Sequence, residues 1–322
     1  MRHLISLCFF ILLSYFSYGQ TEKQLIPADI KQQTIVTEPA TLRKGFFRTG
    51  VAMSYGVVDK YFTDAGEKQY FLNSAWAKSS SYNLILQYGL TNRFQIDFTM
   101  LYMNTLKQSQ NEILIPSADT NANYSFTLKG RGLSDSYLTL KYQIIPEGDS
   151  KASLTGAFDL TLPTGKKNPT NIKSVTKFDP PTGNGNFAVD FFLTGRKIRY
   201  PFSYTGYIGY TYNLSGTKLM NASDTQEKKF QDGNKLELGG SFNFHLNDWI
   251  ALANEINLYS RNKDKIENII PAESLKAWAV SYETRLIFQV KKFRIGEAVR
   301  IPIKGKNVSA DPQYVVIAQY LF

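Results

Sequence analysis

Few side chains of this sequence have the types and spacing that catalysis needs. A serine hydrolase relies on a histidine base, and His245 is the only histidine after His3. Because His245 stands beside a predicted turn, we expect a structural role for it. A carboxylate-pair mechanism stays open, and it would draw on Asp97, Asp135, Asp159 and Asp190. We predict that the protein is not an enzyme and that it uses no metal, nucleotide or redox cofactor.

Charged side chains recur at alternate positions of predicted strands, on the face opposite the apolar residues. Polar groups on a shared interior face must be wetted or paired. Both signs of charge occur, so we expect ion pairs across the interior. Two roles stay open for them, a salt-bridged support for the wall and a constriction that selects solutes. The candidates are Arg48, Arg93, Asp97, Lys141, Asp159, Asp190, Lys235, Glu237, Glu255, Glu283, Arg285, Arg294 and Arg300.

The elements that would position these residues are β-strands, because apolar residues repeat with period two and not with helical spacing. Phe94, Ile96 and Phe98, for example, alternate with Gln95 and Asp97. The sequence predicts twelve such strands, namely Phe47–Val57, Tyr82–Leu90, Phe94–Tyr102, Leu138–Ile144, Leu154–Leu162, Phe187–Leu193, Phe202–Tyr212, Leu236–Leu246, Ile250–Leu258, Trp278–Val290, Phe293–Ile303 and Tyr314–Phe322.

The connections between these strands alternate between short and long. Short turns are predicted at Thr91–Asn92, Pro146–Ser150, Arg196–Tyr200, Leu246–Asp248 and Val290–Lys292, and longer polar loops such as Thr105–Arg131 stand between them. The alternation predicts an all-β fold, a single antiparallel transmembrane β-barrel of about 12 strands with short periplasmic turns and long extracellular loops. A soluble β-sandwich is disfavoured, because its strands usually have about five or six residues.

The composition agrees with a barrel in the outer membrane of a bacterium. Aromatic residues make up 14% of the chain, and those at strand ends, such as Phe202, Tyr204, Tyr210 and Tyr212, fit two interfacial girdles. The net charge of +10 predicts outer-membrane lipid and lipopolysaccharide as partners. Nucleic acid is not expected as a partner, because the sequence has no basic run with interleaved aromatic residues.

Both ends of the chain carry signals for export and assembly. Residues 1–19 combine a charged start, an apolar run and small residues, which predicts a signal peptide. Residues 20–45 are predicted to be a periplasmic segment that forms either a plug or a tail, and residues 46–322 the barrel. The C-terminal strand places Tyr314, Val316, Ala318, Tyr320 and Phe322 on one face, and this pattern predicts recognition by the barrel-assembly machinery.

Five stretches in the middle of the chain resemble a family of outer-membrane transporters, the MetA-pathway of phenol degradation family. They are GLTNRFQIDF (Gly89–Phe98), GRGLSDSYLTLKYQI (Gly130–Ile144), DLTLPTG (Asp159–Gly165), GNGNFAVDFFLTGRK (Gly183–Lys197) and FSYTGYIGYTY (Phe202–Tyr212). The resemblance implies an outer-membrane transporter barrel, and it does not imply phenol as the substrate.

Two functions follow from this pattern. We expect a channel through which small apolar or aromatic molecules pass without energy coupling, and the alternative is a structural or surface-interaction barrel with a closed lumen. Glu297 is unusual, because it falls on the predicted lipid-facing side near Thr284 and Asn254, where a carboxylate is costly. Either a bulge beside Gly296 changes the local register, or these groups contact a second copy of the chain in a homo-oligomer.

Overall fold

The structure is a computed structural model that describes residues 41–71, 76–114, 121–146, 152–174, 177–220, 224–271 and 274–322. The predicted signal peptide and the first part of the periplasmic segment, residues 20–40, lie outside the described residues. Within the described ranges, no helix has the length and apolar character that crossing a membrane requires.

Twelve antiparallel strands form one closed barrel, which confirms the predicted fold. Each strand pairs with the next along the chain, and the last strand pairs with the first. The strands are β1 (Phe47–Val58), β2 (Trp76–Gly89), β3 (Phe94–Leu114), β4 (Ser136–Ile145), β5 (Ser153–Leu162), β6 (Ala188–Arg199), β7 (Phe202–Asn213), β8 (Lys235–His245), β9 (Ile250–Arg261), β10 (Ala277–Val290), β11 (Phe293–Lys306) and β12 (Gln313–Leu321).

Side chains alternate between the two faces of the wall, as the period of two requires. In β7, Tyr204, Ile208 and Tyr212 point outward and are exposed, whereas Ser203 and Thr211 point inward and are buried. Large apolar residues are thus exposed on the outside, and small polar residues are buried on the inside. This distribution is the opposite of the one in a water-soluble protein. The apolar exterior therefore faces lipid.

Short turns close one rim of the barrel and longer segments cover the other. The short connections are residues 90–93, 146–152, 200–201, 246–249 and 291–292. On the opposite rim, the long segments contain short strands, including Lys60–Phe62, Lys68–Tyr70, Thr170–Ser174, Lys177–Asp179, Gly216–Lys218, Lys228–Gln231, Lys265–Ile266 and Val308–Ser309. The short side is the periplasmic rim.

The predicted loop Thr105–Arg131 is wrong in part, because most of it is strand. β3 continues to Leu114 and pairs along Tyr102–Leu114 with an additional strand, Asn121–Leu133. The outer part of this hairpin extends past Gln108, where the pairing of β3 with β2 ends. The additional strand does contain an alternation, with Ser125 and Thr127 between Tyr124, Phe126 and Leu128, which we interpreted as part of a loop. The additional strand leads into β4 through Ser134 and Asp135.

The last strand presents one aromatic and apolar face to the outside, as predicted. Tyr314, Val316, Tyr320 and Phe322 are between 41% and 56% exposed, and Ala318 lies in the same row. Phe322 also contacts Phe47 of β1 across the seam where the barrel closes, with ring centroids 5.7 Å apart. Recognition of this row by the assembly machinery stays a prediction.

Glu297 points outward, and the interpretation of a bulge beside Gly296 is wrong. The pairing of β10 with β11 runs without a shift through Ile287–Gly296 and Leu286–Glu297, and the irregularity lies further along, at Val280 and Ser281. Thr284 pairs with Asn254 on the same outward face. Glu297 is exposed there, so a carboxylate, an amide and a hydroxyl share the lipid-facing surface.

Candidate functional site: the barrel lumen

The alternation of the strands carries twelve of the thirteen candidate charges to the inward face. Arg48, Asp97, Lys141, Asp159, Glu255, Glu283, Arg285 and Arg294 are buried, and Asp190, Lys235, Glu237 and Arg300 are partly exposed. Arg93 is the exception, because it lies exposed in the turn between β2 and β3. The prediction that Arg93 lines the lumen is therefore wrong, since the strand begins one residue later.

One group of inward residues on β1 to β4 surrounds the carboxylate of Asp97. The Nζ atom of Lys141 lies 3.2 Å from Asp97 Oδ2. Gln87 and Gln95 donate amide hydrogen bonds of 3.0 and 2.6 Å to the two Asp97 oxygens, and Arg48 Nε donates to Gln87 Oε1 at 2.6 Å. Lys141 is 0% and Asp97 3% exposed. This Asp97 cluster is a fully buried charge pair whose remaining lone pairs are satisfied.

A second group on β7 to β11 surrounds Glu283. Arg300 donates to Glu283 Oε2 through Nε at 2.9 Å and through Nη2 at 2.8 Å, and Arg285 binds the other Glu283 oxygen. Arg285 also lies 3.9 Å from Glu255, which accepts a hydrogen bond of 2.8 Å from the Tyr207 hydroxyl. The Glu283 cluster, formed by these five residues, therefore pairs charges of both signs. Its ion pairs join residues of the same strand or of adjacent strands, whereas the sequence predicted pairs across the interior.

Asp159 and Asp190 stand between the two clusters as direct cross-strand partners. Thr211 donates a hydrogen bond to Asp190, whereas the Oδ1 atom of Asp159 is buried and has no hydrogen-bond partner among the described residues. Two carboxylates therefore lie side by side on one wall of the lumen, a direct pairing of like charges that is unfavourable when both are ionised.

The periplasmic half of the lumen is filled with polar side chains. Arg196, Lys141, His245, Gln95 and Asn243 are among the largest side chains with less than 2% exposure, and all of them point inward near the short turns. Gln95 and Asn243 lie on the inward face that the alternation predicts, although they carry no charge. Arg196 was missed because the predicted turn Arg196–Tyr200 is in fact the end of β6, which continues to Arg199.

His245 lacks the contacts of a general base. It is 1% exposed, and neither ring nitrogen has a hydrogen-bond partner among the described residues. The ring lies against Tyr200, with centroids 6.2 Å apart. Since a base must contact the group that it deprotonates, the geometry agrees with the structural role expected for His245.

Residues 41–45, which we call the strap, lie inside the wall at its periplasmic end, against β2, β3 and the turn between them. The Leu42 amide donates to Gln95 Oε1 at 2.6 Å, and the Thr41 hydroxyl donates to the carbonyl oxygen of Asn92 at 3.2 Å. Thr41 and Leu42 are buried. Gly89 permits this approach, because a Cβ atom there would overlap the carbonyl oxygen of Arg43. The strap therefore adds backbone to the side chains that close this end.

The extracellular half of the lumen is a vestibule that water can reach. Tyr137 points inward and is 37% exposed, and the side chain of Arg300 is 42% exposed. Asp135 holds the loop between β5 and β6 in place. Its carboxylate accepts hydrogen bonds from the backbone amides of Gly165 at 3.1 Å and Asn184 at 2.7 Å. The exposure of inward residues thus falls from the extracellular rim toward the strap.

Glu227 links two extracellular loops, the one between β5 and β6 and the one between β7 and β8, and we call this link the tie. Its carboxylate accepts hydrogen bonds of 2.7 Å each from Lys167, Asn168 and Thr217, and these donors lower the pKa of Glu227 from 4.5 to about 2. A carboxylate with a lowered pKa contributes stability above its ordinary pKa and loses it as the pH falls through the lowered value. The tie should therefore persist at pH 4 and be lost near pH 2.

A carboxyl-carbon NMR titration of Glu227 measures this directly. We expect a titration midpoint near 2 in the intact protein. The hydrogen bond from Lys167 lowers the pKa of Glu227 most among the three donors, so Lys167→Met should move the midpoint back toward 4.5. A midpoint that stays above 4 in the intact protein would show that the loops are not tied in this way.

Comparison with known proteins supports the fold. A solved outer membrane channel from Pseudomonas putida F1 matches with a TM-score of 0.68 and 14% identity, over 88% of this chain and 97% of that one. The KdgM and NanC porins match with TM-scores of 0.43 and 0.45, at 11% and 9% identity, over 85% and 84% of this chain and 99% and 98% of theirs, which is too distant to support an argument.

No family model matches the sequence, and a search of curated proteins finds no match. The resemblance to the MetA-pathway of phenol degradation family therefore stays a prediction. The fold shared with the Pseudomonas channel, together with the lipid-facing exterior described above, confirms that this chain is a β-barrel of the bacterial outer membrane.

Proposed function

We propose that the protein is a passive outer-membrane channel for small molecules. The observation that carries this proposal is the gradient along the lumen, from a water-accessible charged vestibule to a polar constriction at the strap. A lumen that served only as structural filler would not need ionised groups that water reaches, such as Arg300. Diffusion through the barrel requires that the strap and the side chains around it move aside.

Inward-facing rings support apolar or aromatic solutes as the substrate class. Tyr137, Phe192, Tyr207 and Tyr259 point into the lumen from β4, β6, β7 and β9. Aromatic faces attract other rings, and each well-placed pair contributes about 0.5–1.5 kcal/mol beyond burial. Rings set among charges of both signs suit a small aromatic solute that carries a polar group.

Uptake into proteoliposomes tests the substrate class. We expect benzoate to enter faster than a sugar acid of similar size, and we expect Tyr137→Ser with Tyr259→Ser to remove this preference. Tyr204→Ser, which changes an outward ring on β7, is the matched control and should leave the preference unchanged. Equal rates for both solutes in the unmodified protein would refute the aromatic class while leaving the channel itself intact.

We also propose that the outward polar patch around Glu297 contacts a second copy of the chain. Tyr282 donates a hydrogen bond of 2.5 Å to Asn254 Oδ1, which leaves the Asn254 amide hydrogens and the Glu297 carboxylate facing outward. Donors and an acceptor on one patch can pair with the same patch of a partner related by a twofold axis. Pairing would remove the cost of exposing these groups to lipid.

The size of the detergent-extracted assembly tests this contact. Glu297→Leu should shift a dimer to a monomer in light scattering, because the acceptor of the paired interface is lost. Val316→Leu, an apolar change at the neighbouring outward position, should leave the size unchanged. A particle of the same mass in the unmodified protein and in Glu297→Leu would exclude the patch as an interface.

A further inference from the structure

An apolar groove runs along the outside of β1, β2, β3 and the additional strand Asn121–Leu133. The register places Met53, Tyr82, Tyr102 and Leu133 side by side on the outward face, each between 41% and 50% exposed. Val51, Leu84 and Met100 form the row beneath them. The cavity along these residues has a volume of about 450 Å³, enough for the end of an acyl chain.

Cations occupy the next two outward rows above the groove. Arg131 pairs with Asn104, and one row higher Lys78 and Lys129 both pair with Leu106. All three cations are exposed, and none forms an ion pair with a side chain that the structure describes. Neighbouring strands lie about 4.8 Å apart, so the backbones at Lys78 and Lys129 are roughly 10 Å apart.

A second cavity continues the groove at the extracellular rim. It has a volume of about 590 Å³, and its lining includes Tyr55, Tyr70, Trp76, Lys78 and Asp59. Tyr55 is the outward residue that follows Met53 on β1, so the two cavities follow the same outer face. Asp59 is the one carboxylate among the described residues of this lining. It lies 3.8 Å from Lys60 Nζ, which offsets its charge.

We infer that this outer face binds one phosphorylated glycolipid of the outer leaflet, the lipid A part of lipopolysaccharide. Acyl chains would lie in the groove beside Met53 and Tyr82, since apolar surface is favoured there. Phosphates would lie at Lys78, Lys129 and Arg131, because cations above an apolar band meet headgroup phosphates. The sugars would stack on the rings of the rim cavity, as aromatic faces do with apolar sugar faces.

The position in the membrane favours this ligand over a free anion. A free phosphate would use the three cations alone and leave the groove and the aromatic cavity unexplained. Phosphatidylethanolamine has acyl chains but one phosphate and no sugar, so it would leave the rim cavity empty. Only a ligand with chains, phosphates and sugar rings matches all three parts of the surface.

Native mass spectrometry of the full mature chain in detergent tests the inference, with bisphosphorylated lipid A as the probe. We expect the triple variant Lys78→Gln, Lys129→Gln and Arg131→Gln to weaken binding by about a hundredfold at low salt. Lys197→Gln with Arg199→Gln is the matched control, since both are exposed outward cations at the periplasmic end of β6. The control should bind lipid A as the unmodified protein does.

Three further arms separate the sources of binding. Lipid A without phosphates should bind weakly to the unmodified protein. Its affinity should match that of bisphosphorylated lipid A for the triple variant. Inorganic phosphate should not displace lipid A from the unmodified protein. Equal binding of the phosphate-free lipid, or unchanged binding in the triple variant, would overturn the inference, as would effective competition by inorganic phosphate. Heat-modifiable gel mobility verifies that each variant is folded, and Lys78→Arg with Lys129→Arg should retain binding.

Discussion

Lys141→Met should lower the free energy of unfolding by about 3–5 kcal/mol, the largest stability change that we expect from one side chain. Lys141 is 0% exposed and lies 3.2 Å from Asp97 Oδ2. Methionine has a similar length but no charge, so the carboxylate would stay buried without a countercharge. The hydrogen bonds from Gln87 and Gln95 offset part of this cost. Urea unfolding in detergent micelles, followed by tryptophan fluorescence, measures the change.

The double variant Lys141→Met with Asp97→Asn should recover most of the loss, because neither buried charge remains. Lys197→Met is the control at an exposed outward position and should change the free energy of unfolding by less than about 0.5 kcal/mol. A loss below about 1 kcal/mol in Lys141→Met would contradict the buried pair that we describe.

Gly89→Ala should raise the open population of the channel by about thirtyfold. The added Cβ atom would overlap the carbonyl oxygen of Arg43, so the first part of the strap must move and lose the hydrogen bonds that Thr41 and Leu42 donate to Asn92 and Gln95. Two hydrogen bonds contribute about 2 kcal/mol, and every 1.4 kcal/mol changes a population tenfold. Single-channel recording in planar bilayers measures the open fraction.

Gly56→Ala is the matched control for this variant. Gly56 also points inward from β1, but a Cβ atom there would meet its nearest neighbour, the Cγ atom of Gln313, at 3.6 Å, which is an ordinary contact. The control should keep the open fraction of the unmodified protein. If Gly89→Ala and Gly56→Ala behave alike, the strap does not limit passage.

The sequence predicted the wall well because lipid and water act on alternate residues of each strand. Phe94, Ile96 and Phe98 face lipid, whereas Gln95 and Asp97 face the lumen, where they form hydrogen bonds or ion pairs. The period of two therefore identifies both faces of a strand. The same pattern predicted the outward direction of Glu297 and the inward direction of Asp97 and Lys141. All twelve predicted strands occur in the barrel.

Features that do not depend on this alternation escaped prediction. The outer part of the hairpin of β3 with Asn121–Leu133 extends past the end of β2, and its β3 half, Gln108–Leu114, shows no alternation of apolar and polar residues. The strap depends on a close approach at Gly89, which no local pattern reveals. Which inward charges pair, such as Lys141 with Asp97, depends on the cross-strand register, and a sequence alone does not give the register.

The most direct test of the channel is single-channel conductance of the purified mature chain, verified as folded by heat-modifiable gel mobility. We predict discrete conductance steps from the unmodified protein, with longer openings in Gly89→Ala. Silence from both proteins would contradict the channel and favour the alternative, a structural or surface-interaction barrel with a closed lumen.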